Sequence, residues 1–297
     1  MIPRSSTARL RSDGRPKEEH DLKLGFIDYY LDEWHANNYP QWISEASGGE
    51  MEITYAWALA DSPKGGLTSA EWCKKFGVEL CTTVEELIEK SDGLIILSPD
   101  NCELHEQLCR LPLSSGKPCY VDKTFAPDEA SAKRVFAVAE ASGTPCWSTS
   151  ALRFAEEYAQ IDPSKVVAIN SWGPNDFEIY AIHQLEPLMM LMQSRPQRVM
   201  ALKTDAWYLL TIEFEDGRCA SVSGYEHGSP FVMNINSKTG STVLEVKSDF
   251  FHRFILGLVQ FFRTKRAPVP HEETVAIMAL REAGQKALTV PGQWVNV

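Results

Sequence analysis

The chain has 297 residues, with 40 acidic against 29 basic side chains and a formal charge of −11 at neutral pH. That length holds one large domain or two ordinary ones, and an acidic balance without a lysine–arginine stripe argues against a DNA or RNA partner. No apolar run approaches the roughly 18–20 residues that span a bilayer. Seven scattered cysteines without a C-x-x-C pair fit reduced thiols rather than a disulfide framework or zinc site, so a cytoplasmic location is expected.

Residues 1–22 are polar and charged, lack the apolar centre of a secretory signal, and read as a disordered extension or a cloning remnant. From Leu24 onward, short apolar runs (LGFID, MEITYAWALAD, GLIILSPD, KPCYVDK, TPCWSTS) alternate with segments carrying helix punctuation. Thr68 with Glu71 makes a capping-box spacing closed by Gly77, Thr83 with Glu86 makes another, and PDEASAKRVFAVAEASG runs from Pro127 to a terminal Gly143. This alternation predicts an α/β protein whose residues 23–150 form a doubly wound parallel sheet.

After about Leu152 the rhythm changes to one helix, a strand at KVVAINSW and a long helix around DFEIYAIHQLEPLMMLM. Strands in series follow at WYLLTIEFEDG, RCASVSGYEH, PFVMNINSK and STVLEVKS, with turns at Asp216-Gly217, Gly228 and Gly240, before a last helix at HEETVAIMALREAGQKALT. Residues 151–297 are expected to form an α+β domain with a largely antiparallel, open-faced sheet, whose free face would serve a homodimer or homotetramer.

Ligands of an open parallel sheet bind beyond the carboxyl ends of its strands, which places Asp28, Asp61, Ser98 to Asp100 and Asp122 to Thr124 at the crevice. Asp61 stands where an acidic residue accepts hydrogen bonds from an adenosine ribose and would favour NAD over NADP; a solvated turn aspartate is the plain alternative. Lys123, one residue past a strand, would donate to a substrate hydroxyl or carbonyl, with a surface lysine as the alternative. His183 and Glu186 share a helix face, either as a general base with its orienting carboxylate or as a surface pair. Arg153 and Trp172 are candidate substrate neighbours, against a surface ion pair and core packing as plainer roles.

Together these segments resemble the glucose-fructose oxidoreductase, inositol dehydrogenase and MocA family over nearly the whole chain after residue 22. GLIILSPDNCELHEQL is similar to the family's strand-turn-helix, and GKPCYVDKTFA to its Glu-Lys-Pro signature, with Asp122, Lys123 and Thr124 in the three places. STSALRF resembles the entry into the second domain, and IYAIHQLEPL the His-x-x-Asp segment, with His183 and Glu186. The resemblance implies a Rossmann-like first domain holding NAD or NADP through Asp28, Tyr30, Asp61, Ser98, Pro99, His105 and Asp122. It further implies that Lys123, His183 and Glu186 act on a sugar, polyol or cyclitol hydroxyl while the nicotinamide takes or gives a hydride.

The chain departs from that family at Ile179, where an aspartate precedes the histidine by four residues, and in KLGFIDYYLDEWHANNYP, where the three fingerprint glycines align with Asp28, Tyr30 and Glu33. His35 falls where a histidine is common. Those glycines serve a tight turn, close approach of backbone to diphosphate, and helix–strand contact. A carboxylate 4 Å from a phosphate costs roughly 1 kcal/mol in water and about 4 at an effective dielectric of 20, against at most about 2 from a helix N-terminus. Asp32 and Glu33 also suit a helix's first turn, and Pro40 suits a helix beginning near Tyr39 after a longer loop. Asp28, Asp32, Glu33 and His35 offer oxygen-rich ligands of the magnesium or calcium kind, but without motif spacing no metal site is assigned. The first functional reading is an oxidoreductase; the second is a sugar-binding, regulatory or lyase-type protein that kept the fold, as the family's galactose-pathway corepressor relatives suggest.

Overall fold

The computed structural model describes residues 21–297. The expected extension lies outside the described residues as far as residue 20, and Leu22 already opens the first strand.

Six parallel strands make the first sheet: β1 (Leu22–Asp28), β2 (Met51–Ala58), β3 (Glu79–Leu80), β4 (Gly93–Ile96), β5 (Cys119–Val121) and β6 (Cys146–Trp147), in the order β3-β2-β1-β4-β5-β6. Helices α1 (Trp34–Ser47), α2 (Ser69–Phe76), α3 (Val84–Lys90), α4 (His105–Leu113) and α5 (Glu129–Ala141) connect them. Continuous apolar runs such as Leu24–Ile27 and Leu94–Ile96 are buried, as a sheet covered on both faces requires. Gly25 lies inside β1, where an added Cβ would come within 2.5 Å of the Ser91 hydroxyl, so the close approach of the α3 end excludes any side chain there. The Thr68–Glu71 capping box forms as expected and Gly77 ends α2 in the left-handed conformation.

The second sheet has seven strands in the order β12-β11-β7-β10-β9-β8-β13. These are β7 (Val166–Pro174), β8 (Pro196–Thr204), β9 (Trp207–Phe214), β10 (Cys219–Tyr225), β11 (Val232–Ser237), β12 (Gly240–Glu245) and β13 (Trp294–Asn296), and β7–β10 is the parallel pair. Helices α6 (Phe177–Met192) and α8 (His271–Thr289) contribute to its core side. Along β9, Tyr208, Leu210, Ile212 and Phe214 are buried while the alternating residues stay half-exposed, the period-two pattern of a one-sided sheet.

Two elements depart from the sequence expectation. The helix expected after Leu152 is instead a run of short 3-10 turns, at Ala151–Phe154, Glu156–Gln160 and Pro163–Lys165. A helix not anticipated, α7 (Phe250–Thr264), follows the strands, capped by Asp249 onto the His252 amide. Its apolar face (Phe254, Ile255, Leu258, Val259, Phe261, Phe262) packs in one cluster with Leu24, Phe26, Tyr39 and Trp147 of the first sheet's side. The tail of the chain therefore crosses back to the amino-terminal half and presents Phe250 and Phe251 near the start of α1. All seven cysteines are free and six are buried. Among the described residues, no helix is long and apolar enough to cross a membrane.

Candidate functional site

The β1–α1 turn carries the largest change from an open nucleotide seat. Helix α1 starts at Trp34, not near Tyr39, and Pro40 sits inside it. The helix tolerates the lost bond because His35, Ala36, Tyr39 and Ile43 are buried along one side. Glu33 is the cap: its carboxylate accepts the His35 amide at 2.7 Å and also the Ala36 amide. The amides that a Rossmann helix offers to a diphosphate are thus satisfied by the chain's own anion.

Around that cap the turn is filled. Asp28 is fully buried and accepts the Tyr29 amide at 2.6 Å; burial, with the Glu33 charge, pushes its carboxyl well above the ordinary carboxylate range. Leu31 is buried, and Asp32 accepts the Leu67 amide and the Asn37 side chain, which fastens the β2–α2 loop over the turn. Tyr30 is half-buried, edge-on to Tyr29. The three departures from glycine are therefore packed or hydrogen-bonded within the protein. A dinucleotide does not fit this turn in the usual seat, since its diphosphate would meet the Asp32 and Glu33 carboxylates, the buried Asp28 and a helix end already capped.

The other expected cofactor groups are scattered. Asp61 lies three residues past β2 rather than at the strand's end, is exposed, and accepts both the amide and hydroxyl of Ser69. Ser98 is buried and donates to the Asn101 carbonyl; Pro99 is half-buried beside it. His105 is buried between the carbonyls of Leu97 (2.8 Å) and Phe125 (3.0 Å), a brace under the β4 turn rather than an edge of the cleft.

Between the two sheets lies a cleft of about 380 Å³. Lys123 and His183, from opposite halves of the chain, both line it, with His35, Asp100, Asp122 and Tyr180 as further polar groups. Trp34, Phe231, Phe250 and Phe251 supply apolar walls. Lys123 Nζ stands 3.7 Å from Asp100 Oδ1, and Asp100 is aimed there by a turn in which Ser98 and Asp100 both take positive φ (93° and 60°). Asp122 accepts the Tyr120 hydroxyl at 3.3 Å through Oδ1, while its buried Oδ2 lacks a hydrogen-bond partner and lies 3.7 Å from His35 Nε2.

The two imidazoles differ in environment. His183 Nδ1 meets the Ser150 hydroxyl at 2.7 Å, and that hydroxyl also receives the Leu152 amide at 3.3 Å. Burial first, and then the positive charges of Lys123 and His35, bring the His183 pKa down to about 3. For His35, burial opposes the charged ring, but Asp122 and the 3.0 Å hydrogen bond and charge of Glu33 outweigh it and hold the pKa above its ordinary value.

Glu186 does not orient His183. It is buried and paired at 2.8 Å with Arg153, which also binds Glu273, and it accepts the Thr149 hydroxyl at 3.0 Å. Burial raises the Glu186 pKa and Arg153 opposes the rise. Neither residue lines the cleft, and Arg153 forms a largely buried ion pair rather than a surface one. Trp172, half-buried on β7, does not line the cleft either. The aromatic wall from α7 and the place of His35 in the cleft were missed from sequence. The i, i+2 spacing of Glu33 and His35 at a helix start was the available signal. Among the described residues no group of three or more His, Cys, Asp and Glu side chains is arranged to hold a metal ion.

Neither any family model nor any curated protein matches the chain. Solved structures do. Myo-inositol 2-dehydrogenase from Lactobacillus plantarum superposes with a TM-score of 0.75 at 15% identity, covering 93% of this chain and 99% of that one. GenD2 from gentamicin A biosynthesis, in complex with NAD, gives 0.75 at 12% identity over 100% and 99%. UDP-N-acetylglucosamine 3-dehydrogenase GnnA from Acidithiobacillus ferrooxidans gives 0.73 at 13% over 90% and 97%. The chain has the two-domain fold of the inositol dehydrogenases and other oxidoreductases of the glucose-fructose oxidoreductase, inositol dehydrogenase and MocA type.

Proposed function

We propose that the protein is an enzyme that binds one small hydroxylated carbonyl compound of the sugar or cyclitol class in the cleft and moves a proton on it without a nicotinamide. The convergence of Lys123 and His183 on one cavity carries this reading. A volume of about 380 Å³ lies at the small end of the roughly 300–1,000 Å³ usual for ligand pockets, enough for a single sugar-sized molecule. Aromatic walls suit the C–H faces of such a ring, and Asp100, Tyr180 and His183 suit its hydroxyls. The Lys123 ammonium stabilises negative charge on a carbonyl oxygen as the neighbouring C–H bond breaks and its electron pair moves into an enolate. His183, neutral, positions the substrate through a hydrogen bond.

The test is incubation with a panel of ketoses, inososes and uronates in D₂O, followed by proton NMR. Loss of the signal beside the carbonyl is expected with the wild type and not with Lys123→Met. No exchange and no saturation-transfer signal from any panel member would remove the reading.

A second reading, hydride transfer, is favoured by the fold and by the position of Lys123 just past β5. It requires NAD, preferred to NADP beside Asp61, to bind in a pose that avoids the capped end of α1, and cofactor titration separates the two. We also propose that the open face of the second sheet joins two or four copies, which light scattering checks.

A further inference from the structure

We propose that His35, held by Glu33 at the start of α1, is the general base of the cleft. The inference rests on the proton-transfer reading above and names its proton carrier. Glu33 has two tasks in one position: Oε1 accepts the Ala36 amide, while Oε2 accepts the His35 amide and ring Nδ1. The helix end therefore fixes the carboxylate, and the carboxylate fixes the imidazole, with Nδ1–H toward Glu33 and Nε2 on the cleft side, 3.7 Å from Asp122 Oδ2. Trp34 and Tyr39 stand edge-on to the ring at 5.1 and 5.4 Å and restrict its tilt. A base held in this way by a third group follows the orientation logic of activated nucleophiles and bases.

The charged and titratable groups around the ring are Glu33 and Tyr39 beside it, Asp122 and Lys123 after β5, and His183 on α6. Asp28, at the end of β1, has its carboxyl pushed up by burial and then by the charges of Glu33 and Asp122. The two carboxylates nearest the ring support the imidazolium, whereas His183 has no carboxylate partner and is strongly resistant to protonation. A base that accepts a proton from carbon and returns it needs a partner for its charged form, which His35 has in Glu33 and His183 lacks. The step balances within the site: the C–H proton goes to His35 Nε2, the electron pair to the carbonyl oxygen beside Lys123, and the imidazolium returns a proton to carbon.

The test combines the D₂O exchange reaction with nitrogen NMR of histidine rings in the ligand-free protein. His35→Asn is expected to lower exchange by about 100-fold or more, and His183→Asn to raise KM while keeping the pH limb. Glu33→Gln should shift that limb to lower pH, and His227→Gln, at an exposed site, should change nothing. The His35 ring should titrate above the ordinary histidine value and His183 should stay neutral through the neutral range. Full activity in His35→Asn would overturn the assignment while leaving the proposed chemistry intact. If the wild type exchanged nothing, the proposed chemistry would fall, and the ring spectra would still decide: a His183 that titrates near neutrality, with a His35 that does not, overturns the inference.

Discussion

The two ends of α1's first turn are a few ångströms apart and have opposite characters. On one side, Asp28, Leu31, Asp32 and Glu33 close the place where this fold usually accepts a diphosphate, and their carboxylates, except the buried Oδ2 of Asp28, have partners inside the protein. On the other, His35 faces an open cleft with Lys123, Asp122 and His183. The same short segment thus removes one binding surface and completes another. A scaffold can retain its catalytic crevice after its nucleotide turn has been repacked, so activity must be argued from the crevice.

The largest expected effect lies outside both regions and sharpens the contrast between structural and working charges. Arg153→Met leaves Glu186 and Glu273 without their shared cation and should cost about 3–5 kcal/mol in denaturant unfolding. A loss below 1 kcal/mol would mean that the pair is not buried as described.

The closed side makes a smaller, pH-dependent contribution. Asp28 keeps its proton in the folded state above the pH at which the unfolded chain releases it, so its contribution falls as pH rises from about 4. Asp28→Asn should therefore gain stability relative to the wild type between pH 4 and pH 7, by at most about 1.4 kcal/mol per pH unit. A constant difference over that range would contradict the buried, proton-holding carboxyl. His183 has the opposite sign. Its folded pKa of about 3 means that stability present above the unfolded value near 6.5 is lost as pH falls toward 3, and His183→Asn should flatten that slope. The smallest effect is at the capping box of α2, where Thr68→Ala should cost about 1 kcal/mol and leave the cleft unaffected.

The parallel sheet, its caps and the antiparallel strands were legible because they depend on local patterns: apolar runs, Thr68 with Glu71, and glycine-bearing turns. Helix α7 was not, since FFHRFILGLVQFFRT is rich in β-branched and aromatic residues that also suit a strand, and only packing against the first sheet's core decides for helix. In the site, Lys123 and His183 could be picked out from their places after a strand and on a helix. The partner of Glu186 could not, because Arg153 is distant in sequence and Glu186 and Glu273 come to share its guanidinium only after folding. Glu33 was read as a hindrance to phosphate; that it also holds an imidazole toward the cleft depends on where α1 begins, which Pro40 obscured.

The most direct test of the closed seat is titration of the purified protein with NADH and NADPH, followed by calorimetry and by energy transfer from tryptophan. With Glu33 capping α1 and Asp28 and Asp32 beside it, no saturable binding is expected up to millimolar cofactor. Saturation at micromolar cofactor, with energy transfer to the reduced nicotinamide, would contradict it.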